Sequence, residues 1–131
     1  MNFLLDTHIW IWSLLEPGHL KPKVAQTLKD PSNHLWLSPV STWEFLILVE
    51  KGRILMEEDP VRWIDQIFKK IPFREAPINH RIAMESRLVD LPHHDPVDRF
   101  LAATALVYNL TLITADERLT RCKKISVLKN K

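Results

Sequence analysis

Glycine is nearly absent from this chain. Gly18 and Gly52 are the only two in 131 residues, against nine prolines. No glycine-rich phosphate loop exists, which excludes P-loop and dinucleotide-binding readings, because both need glycines where backbone closes on phosphate. Cysteine is almost as scarce. Cys122 stands alone and cannot form an internal disulfide, which suits a reducing cytosol. Long apolar runs are lacking as well: no stretch approaches the ~20 residues that span a bilayer. The apolar start is broken by Asp6 and His8 and has no basic cluster before it, unlike a secretory signal. A strong charge of either sign is also missing, since the formal net charge is only +2. The expectation is a soluble, cytoplasmic protein that makes no use of a membrane.

What is present is enough for a core. With 46% apolar residues, the chain reads as one domain over residues 1–131. A domain of this size buries roughly two-thirds of the surface its unfolded chain exposes. The charge is unevenly spread. No acid follows Glu117, while Arg118, Arg121, Lys123, Lys124, Lys129 and Lys131 crowd the C-terminal end. Such an end is either a solvated edge or an attractor of phosphate backbones.

Short apolar runs alternate with helical periods. Strands are expected at Asn2–Leu5, Leu35–Leu37, Pro72–Arg74, Thr111–Thr114 and Ile125–Leu128. Helices are expected at Thr7–Leu15, Pro22–Lys29, from Ser38-Pro39 to Gly52, at Pro60–Lys70, at Ile78–Leu88 and from Asp95-Pro96 to about Tyr108. Ala115–Leu119 reads as a turn or short helix. This alternation argues for an α/β layered domain with a mostly parallel sheet. Ligands of such sheets bind beyond the carboxyl ends of the strands.

Carboxylates stand at those ends. Asp6 follows the first strand, and Asp116 lies two residues beyond Thr111–Thr114. Either can be a helix N-cap and nothing more. Asp95-Pro96-Val97-Asp98 resembles a capping box, and both charges suit a helix start, yet the same geometry projects Asp98 toward the strand ends. Glu44 is harder to dismiss. Its helical neighbours Val40, Ser41, Ile47 and Leu48 are mostly apolar, and burying a lone carboxylate there is costly. Acids converging on one edge would be relieved by a hard cation such as Mg²⁺ or Mn²⁺. Zinc is disfavoured because no His or Cys pair has a closed-site spacing. His93-His94, beside a proline, reads as ordering the turn before Asp95.

The stretches LLDTHIWIW, SPVSTWEFLILVEKGRI, LPHHDPVDRFLAATA and LITADERL follow in this order over residues 4 to 119. Together they resemble the motifs of PIN-domain ribonucleases, in particular the VapC-type toxins of toxin–antitoxin systems. The resemblance implies a three-layer α/β/α sandwich around a mostly parallel sheet. It implies that Asp6, Glu44, Asp98 and Asp116 hold one or two Mg²⁺ or Mn²⁺ ions, with Asp95 as an additional acid and Thr114 as the accompanying hydroxyl. Hydrolysis of RNA would then need no Ser or Cys nucleophile. Arg118 and Arg121 are candidates to contact RNA, and Arg99 is expected to pair with a carboxylate. The tryptophans Trp10, Trp12, Trp36, Trp43 and Trp63 read as core or protein interface rather than base-stacking platforms.

Helix Thr7–Leu15 and the run Trp43–Val49 are apolar on more than one face. Such helices are buried twice or covered by a partner. The resemblance implies an antitoxin segment in a groove between these helices and a homodimer. Two other readings compete with the ribonuclease. One is a non-catalytic RNA- or antitoxin-binding module of the same fold. The other is a phosphatase with Asp6 as nucleophile, weakened because His8 stands where a second acid is wanted.

Overall fold

Prolines and side-chain caps decide where the helices begin. In the computed structural model, which describes residues 1–131, Pro22, Pro39, Pro60 and Pro96 each open a helix. A proline loses nothing at that position, where its missing N–H would have had no partner. Ser38, Asp59, Asn79 and Asp95 cap helix starts by accepting the N–H of Val40, Val61, Ile82 and Val97.

The elements run β1 (Asn2–Leu5), α1 (Thr7–Leu15), a 3-10 turn at Pro17–His19, α2 (Pro22–Lys29), β2 (His34–Leu37), α3 (Pro39–Glu50), α4 (Pro60–Lys70), β3 (Arg74–Glu75), α5 (His80–Leu88), α6 (Pro96–Tyr108), β4 (Thr111–Thr114), α7 (Glu117–Thr120) and β5 (Ser126–Lys129). Strand β3 starts two residues later than expected. Pro72 has no N–H for the ladder, and Phe73 turns its N–H back to Ile71. Helix α5 starts at His80 rather than Ile78 because Asn79 caps it. Helix α6 ends where Asn109 adopts a left-handed conformation at φ 55°.

The five strands are all parallel and lie in the order β3-β2-β1-β4-β5. Side chains alternate across the sheet. Leu4 and Leu112 face a layer built by α5 and α6, with Ile82, Leu101, Ala102 and Ala105. Phe3, Leu5 and Ile113 face the other, with Ile9 and Trp10 of α1, Val24 of α2, Phe45 of α3 and Ile64 of α4. The chain is therefore a three-layer α/β/α sandwich. No helix is long and apolar enough to cross a membrane.

The double apolarity of α1 is mostly consumed inside. Ile9, Trp10 and Ile11 are buried, and Trp10 lies against Phe45 and Phe68. The excess on α3 is not consumed. Trp43 is 55% exposed and Phe68 of α4 is 41% exposed. They line a groove of about 480 Å³ with Leu37, Leu46 and Phe73, bounded by Arg74 and Glu75 of the edge strand β3. A second apolar depression of about 280 Å³ lies under α1 and α2, lined by Leu14, Leu20, Leu28 and Leu35. The larger groove thus lies between α3, α4 and the sheet edge, rather than between α1 and α3 as expected.

Candidate active site

Strand β1 is central, and the chain departs from it in both directions. It first builds β2 and β3 on one side, then returns to place β4 on the other. The carboxyl ends of β1 and β4 therefore flank the point where strand order reverses, the usual ligand crevice of open parallel sheets. Asp6 leaves β1 there, its N–H bonded to Ile113 O at 3.0 Å. Thr114 ends β4, and its hydroxyl donates to Asp6 Oδ2 at 2.6 Å while accepting the N–H of Asp116 at 3.0 Å. Asp6 occupies the N-cap position of α1, but its side chain makes no cap bond. Its carboxylate is directed to the crevice instead of to the helix.

The other walls come from three elements. Thr7 and Ser41, both fully buried, share a 2.9 Å hydroxyl bond that fastens the first turn of α1 to α3. One helical turn beyond Ser41 stands Glu44, half-buried at the crevice. Asp95 caps α6 through Val97 N–H. Asp98 does not close a capping box: its Oδ2 lies 2.9 Å from His93 Nε2 and 3.5 Å from Arg118 Nη2. Asp116 does cap α7, and it also binds the Arg118 guanidinium at 2.9 Å. Asp6, Glu44, Asp95, Asp98 and Asp116 thus line one cavity of about 360 Å³, with Arg118, His8 and Trp12 at its sides. Arg121, the other RNA-contact candidate, is exposed at the end of α7 and lies outside the cavity lining.

Electrostatics divide these acids. Burial raises the Asp6 carboxyl to about 6, against the opposing pull of the Thr114 hydrogen bond, and the charges of Asp98 and Glu44 add to the rise. Burial also raises Asp98, reinforced by Asp95 and Asp116. Asp116 goes the other way, held below the usual carboxylate range by its hydrogen bond to Arg118. Two deep acids that resist ionisation and a shallow one held ionised make a set that a cation would stabilise.

Arg99 corrects an expectation. It pairs with no carboxylate. It is buried, and Nε, Nη1 and Nη2 donate to the carbonyls of Ser86, Leu91, His93, Arg87 and Val89. All five N–H groups of a guanidinium are thereby used. These carbonyls belong to the end of α5 and the loop after it, so Arg99 cross-links the segment that carries His93 to Asp98. In sequence His93 reads as ordering a turn, yet it is a direct partner of an acid in the crevice. It lies in a loop, where no periodicity could signal it; the only clue was its place five residues before Asp98. His8 and Trp12 were also missed. They lie on the crevice flank of α1 with ring centroids 5.9 Å apart. Their spacing of one helical turn, starting two residues after Asp6, was the available signal.

The donor set tests whether a metal fits. Asp6 and Asp98 each engage one carboxylate oxygen with protein donors. Their other oxygens have no protein partner and are not sealed from solvent. The cavity offers oxygen ligands and no thiolate, which suits Mg²⁺ or Mn²⁺. No three His, Cys, Asp or Glu residues form a ready-made cage. Mg²⁺ tolerates that, since it keeps several waters and binds through one or two carboxylates plus substrate phosphate.

A parallel α/β/α sandwich with acids gathered at its switch point defines a class, and the family comparison agrees: the PIN domain matches residues 3–125. The chain belongs to the PIN-domain family. Among named relatives it is similar to Ribonuclease VapC22 of Mycobacterium tuberculosis, 30% identical over 119 residues and covering 88% of each chain. Solved structures share the fold at lower identity. VapBC2 from Rickettsia felis, bound to a DNA fragment from their promoter, superposes with a TM-score of 0.73 at 14% identity over 98% of both chains. A toxin–antitoxin complex from Klebsiella pneumoniae gives 0.66 at 20% identity, over 98% of this chain and 97% of that one.

Proposed function

We propose that this chain is a metal-dependent endoribonuclease of the VapC type, the toxin of a toxin–antitoxin pair. The observation that carries this is the convergence of Asp6, Glu44, Asp98 and Asp116, from four separate elements, on one crevice of a PIN-domain fold. The 30% identity to a protein named as a ribonuclease supports it.

A bound Mg²⁺ or Mn²⁺ would supply an activated water and stabilise charge on the phosphate. The protein's share is positioning. Asp6 and Asp98 would hold the ion through their unengaged oxygens. Thr114 fixes the rotamer of Asp6, and His93 fixes that of Asp98. Glu44 and Asp116 complete the set, directly or through water, and Asp95 serves first as a cap. Arg118 is the cation at hand for the RNA backbone. Cys122 is buried in the core and plays no part as a nucleophile. The groove lined by Trp43 and Phe68 receives an apolar segment of the antitoxin, the chain pairs as a homodimer, and both act in the cytoplasm.

The test is incubation of antitoxin-free protein with structured RNAs and Mg²⁺ or Mn²⁺, alongside Asp6→Asn and Asp98→Asn. Cleavage by wild type alone, abolished by EDTA, is the expected result. Equal cleavage by all three proteins, or cleavage that survives EDTA, would sink the mechanism. Stable RNA binding without cleavage would favour a non-catalytic module. Phosphate release from small phosphomonoesters with an adduct on Asp6 would favour the phosphatase.

A further inference from the structure

We infer that Arg118 is a resident counter-ion of the crevice that competes with the divalent cation for Asp116 and Asp98. The inference rests on the nuclease reading above. Its basis is how each acid spends its oxygens. Asp6 and Asp98 each keep one oxygen free of protein partners. Asp116 keeps neither. Its Oδ1 accepts the Arg118 backbone N–H at 2.8 Å and Nε at 3.2 Å, and its Oδ2 accepts Nη2 at 2.9 Å. The same Nη2 lies 3.5 Å from Asp98 Oδ2. A metal at Oδ2 would therefore stand beside a guanidinium already bonded to that oxygen, and the two cations compete for it.

Release is feasible because nothing else holds that guanidinium. Its recorded side-chain bonds all go to Asp116 and Asp98, and the side chain is 53% exposed. Exposed ion pairs are weak and exchangeable. The contrast with Arg99 is direct, since that guanidinium is buried with every donor satisfied by backbone. Departure of Arg118 leaves the framework intact. Asp98 retains His93, and Asp116 still caps α7 through the backbone N–H. A freed guanidinium at this rim presents a planar fork suited to a phosphodiester. Metal and phosphate then each favour the arrangement the other needs, and by linkage their binding is mutually reinforcing.

The experiment titrates Mn²⁺ alone into the full chain, without RNA, by calorimetry. Arg118→Gln should bind Mn²⁺ roughly fivefold more tightly than wild type, the scale of one exposed ion pair. Arg121→Gln removes the same charge from a site outside the crevice and should change affinity less. Arg118→Lys keeps the charge but not the fork, should fall between Arg118→Gln and wild type, and serves if the glutamine variant does not fold. Affinity of Arg118→Gln equal to or below that of Arg121→Gln, or an Arg118→Lys affinity equal to wild type, overturns the inference alone. A wild type with no Mn²⁺ binding that Asp98→Asn abolishes brings down the nuclease reading and this inference with it.

Discussion

The crevice between β1 and β4 and the groove beside β3 open from the same sheet and are made of opposite materials. The crevice gathers carboxylates at the sheet's centre, where two of them are buried and resist ionisation. The groove leaves Trp43 and Phe68 in water at the sheet's edge, where the last strand is only two residues long. Each arrangement opposes the folding of the isolated chain. Charge is placed where burial penalises it, and apolar surface is placed where exposure penalises it. Departures of this kind mark sites that expect an occupant. The occupants proposed for them differ accordingly, a cation in one case and an apolar polypeptide in the other.

The comparison breaks first at Asp6. Asp6→Asn should lower RNA cleavage by roughly 10³-fold, the scale of losing a preorganised electrostatic group. It should also stabilise the metal-free protein at neutral pH. The Asp6 carboxyl is raised from 3.8 to about 6, so its contribution to stability is fully present below 3.8 and is lost as pH rises through about 6. At pH 7.5 the ionised group therefore destabilises the fold, by up to about 3 kcal/mol. Thermal melting in EDTA checks this, and a lower melting temperature for Asp6→Asn would remove the claim that the crevice is locally unfavourable.

Arg99→Ala probes whether the crevice is preassembled. It removes a donor from five carbonyls, of which Val89 O keeps the Leu91 N–H, and a loss of about 3 kcal/mol in urea unfolding is expected. Stability unchanged within error would mean that the loop bearing His93 is held by other contacts. Trp43→Ala tests the groove. Antitoxin binding should weaken by about 2 kcal/mol, roughly thirtyfold, with cleavage of RNA unchanged. Loss of cleavage without loss of antitoxin binding would reverse the assignment of the two regions. The smallest effect sharpens the crevice again. A proton on Asp6 competes with metal, so Mn²⁺ affinity should rise roughly tenfold from pH 5 to pH 7. A flat profile would show that Asp6 does not hold the ion.

Some of this was legible in the linear chain. Proline after a capping residue marked the starts of α3 and α6 because both effects are local. Short continuous apolar runs marked β1 and β4 because a strand buried on both faces needs them. Asp6, Asp98 and Asp116 were visible because strand ends and helix starts are themselves local features. The partners of these acids were not visible. His93 reaches Asp98 only through a loop whose path Arg99 sets, and Arg99 reads as a carboxylate's partner because nothing local announces the five carbonyls around it. Arg118 was identified as a cation near the site, but its grip on Asp116 depends on how the turn after β4 folds back. The groove was expected from excess apolarity. Its position was not, because Trp10 is covered by Phe45 and Phe68 from two other helices.

The pairing of β1 with β4 has a consequence for synthesis. Asp6 and the Thr114 hydroxyl that holds it are 108 residues apart. At ~5–20 residues per second, on the order of ten seconds separates their emergence from a ribosome. A nascent chain that has delivered Asp6, Glu44 and Asp98 still lacks the strand that forms one side of the crevice. The acids therefore remain ungathered until Thr111–Thr114 slots in beside β1. An unfinished chain has most of the chemistry and none of the arrangement.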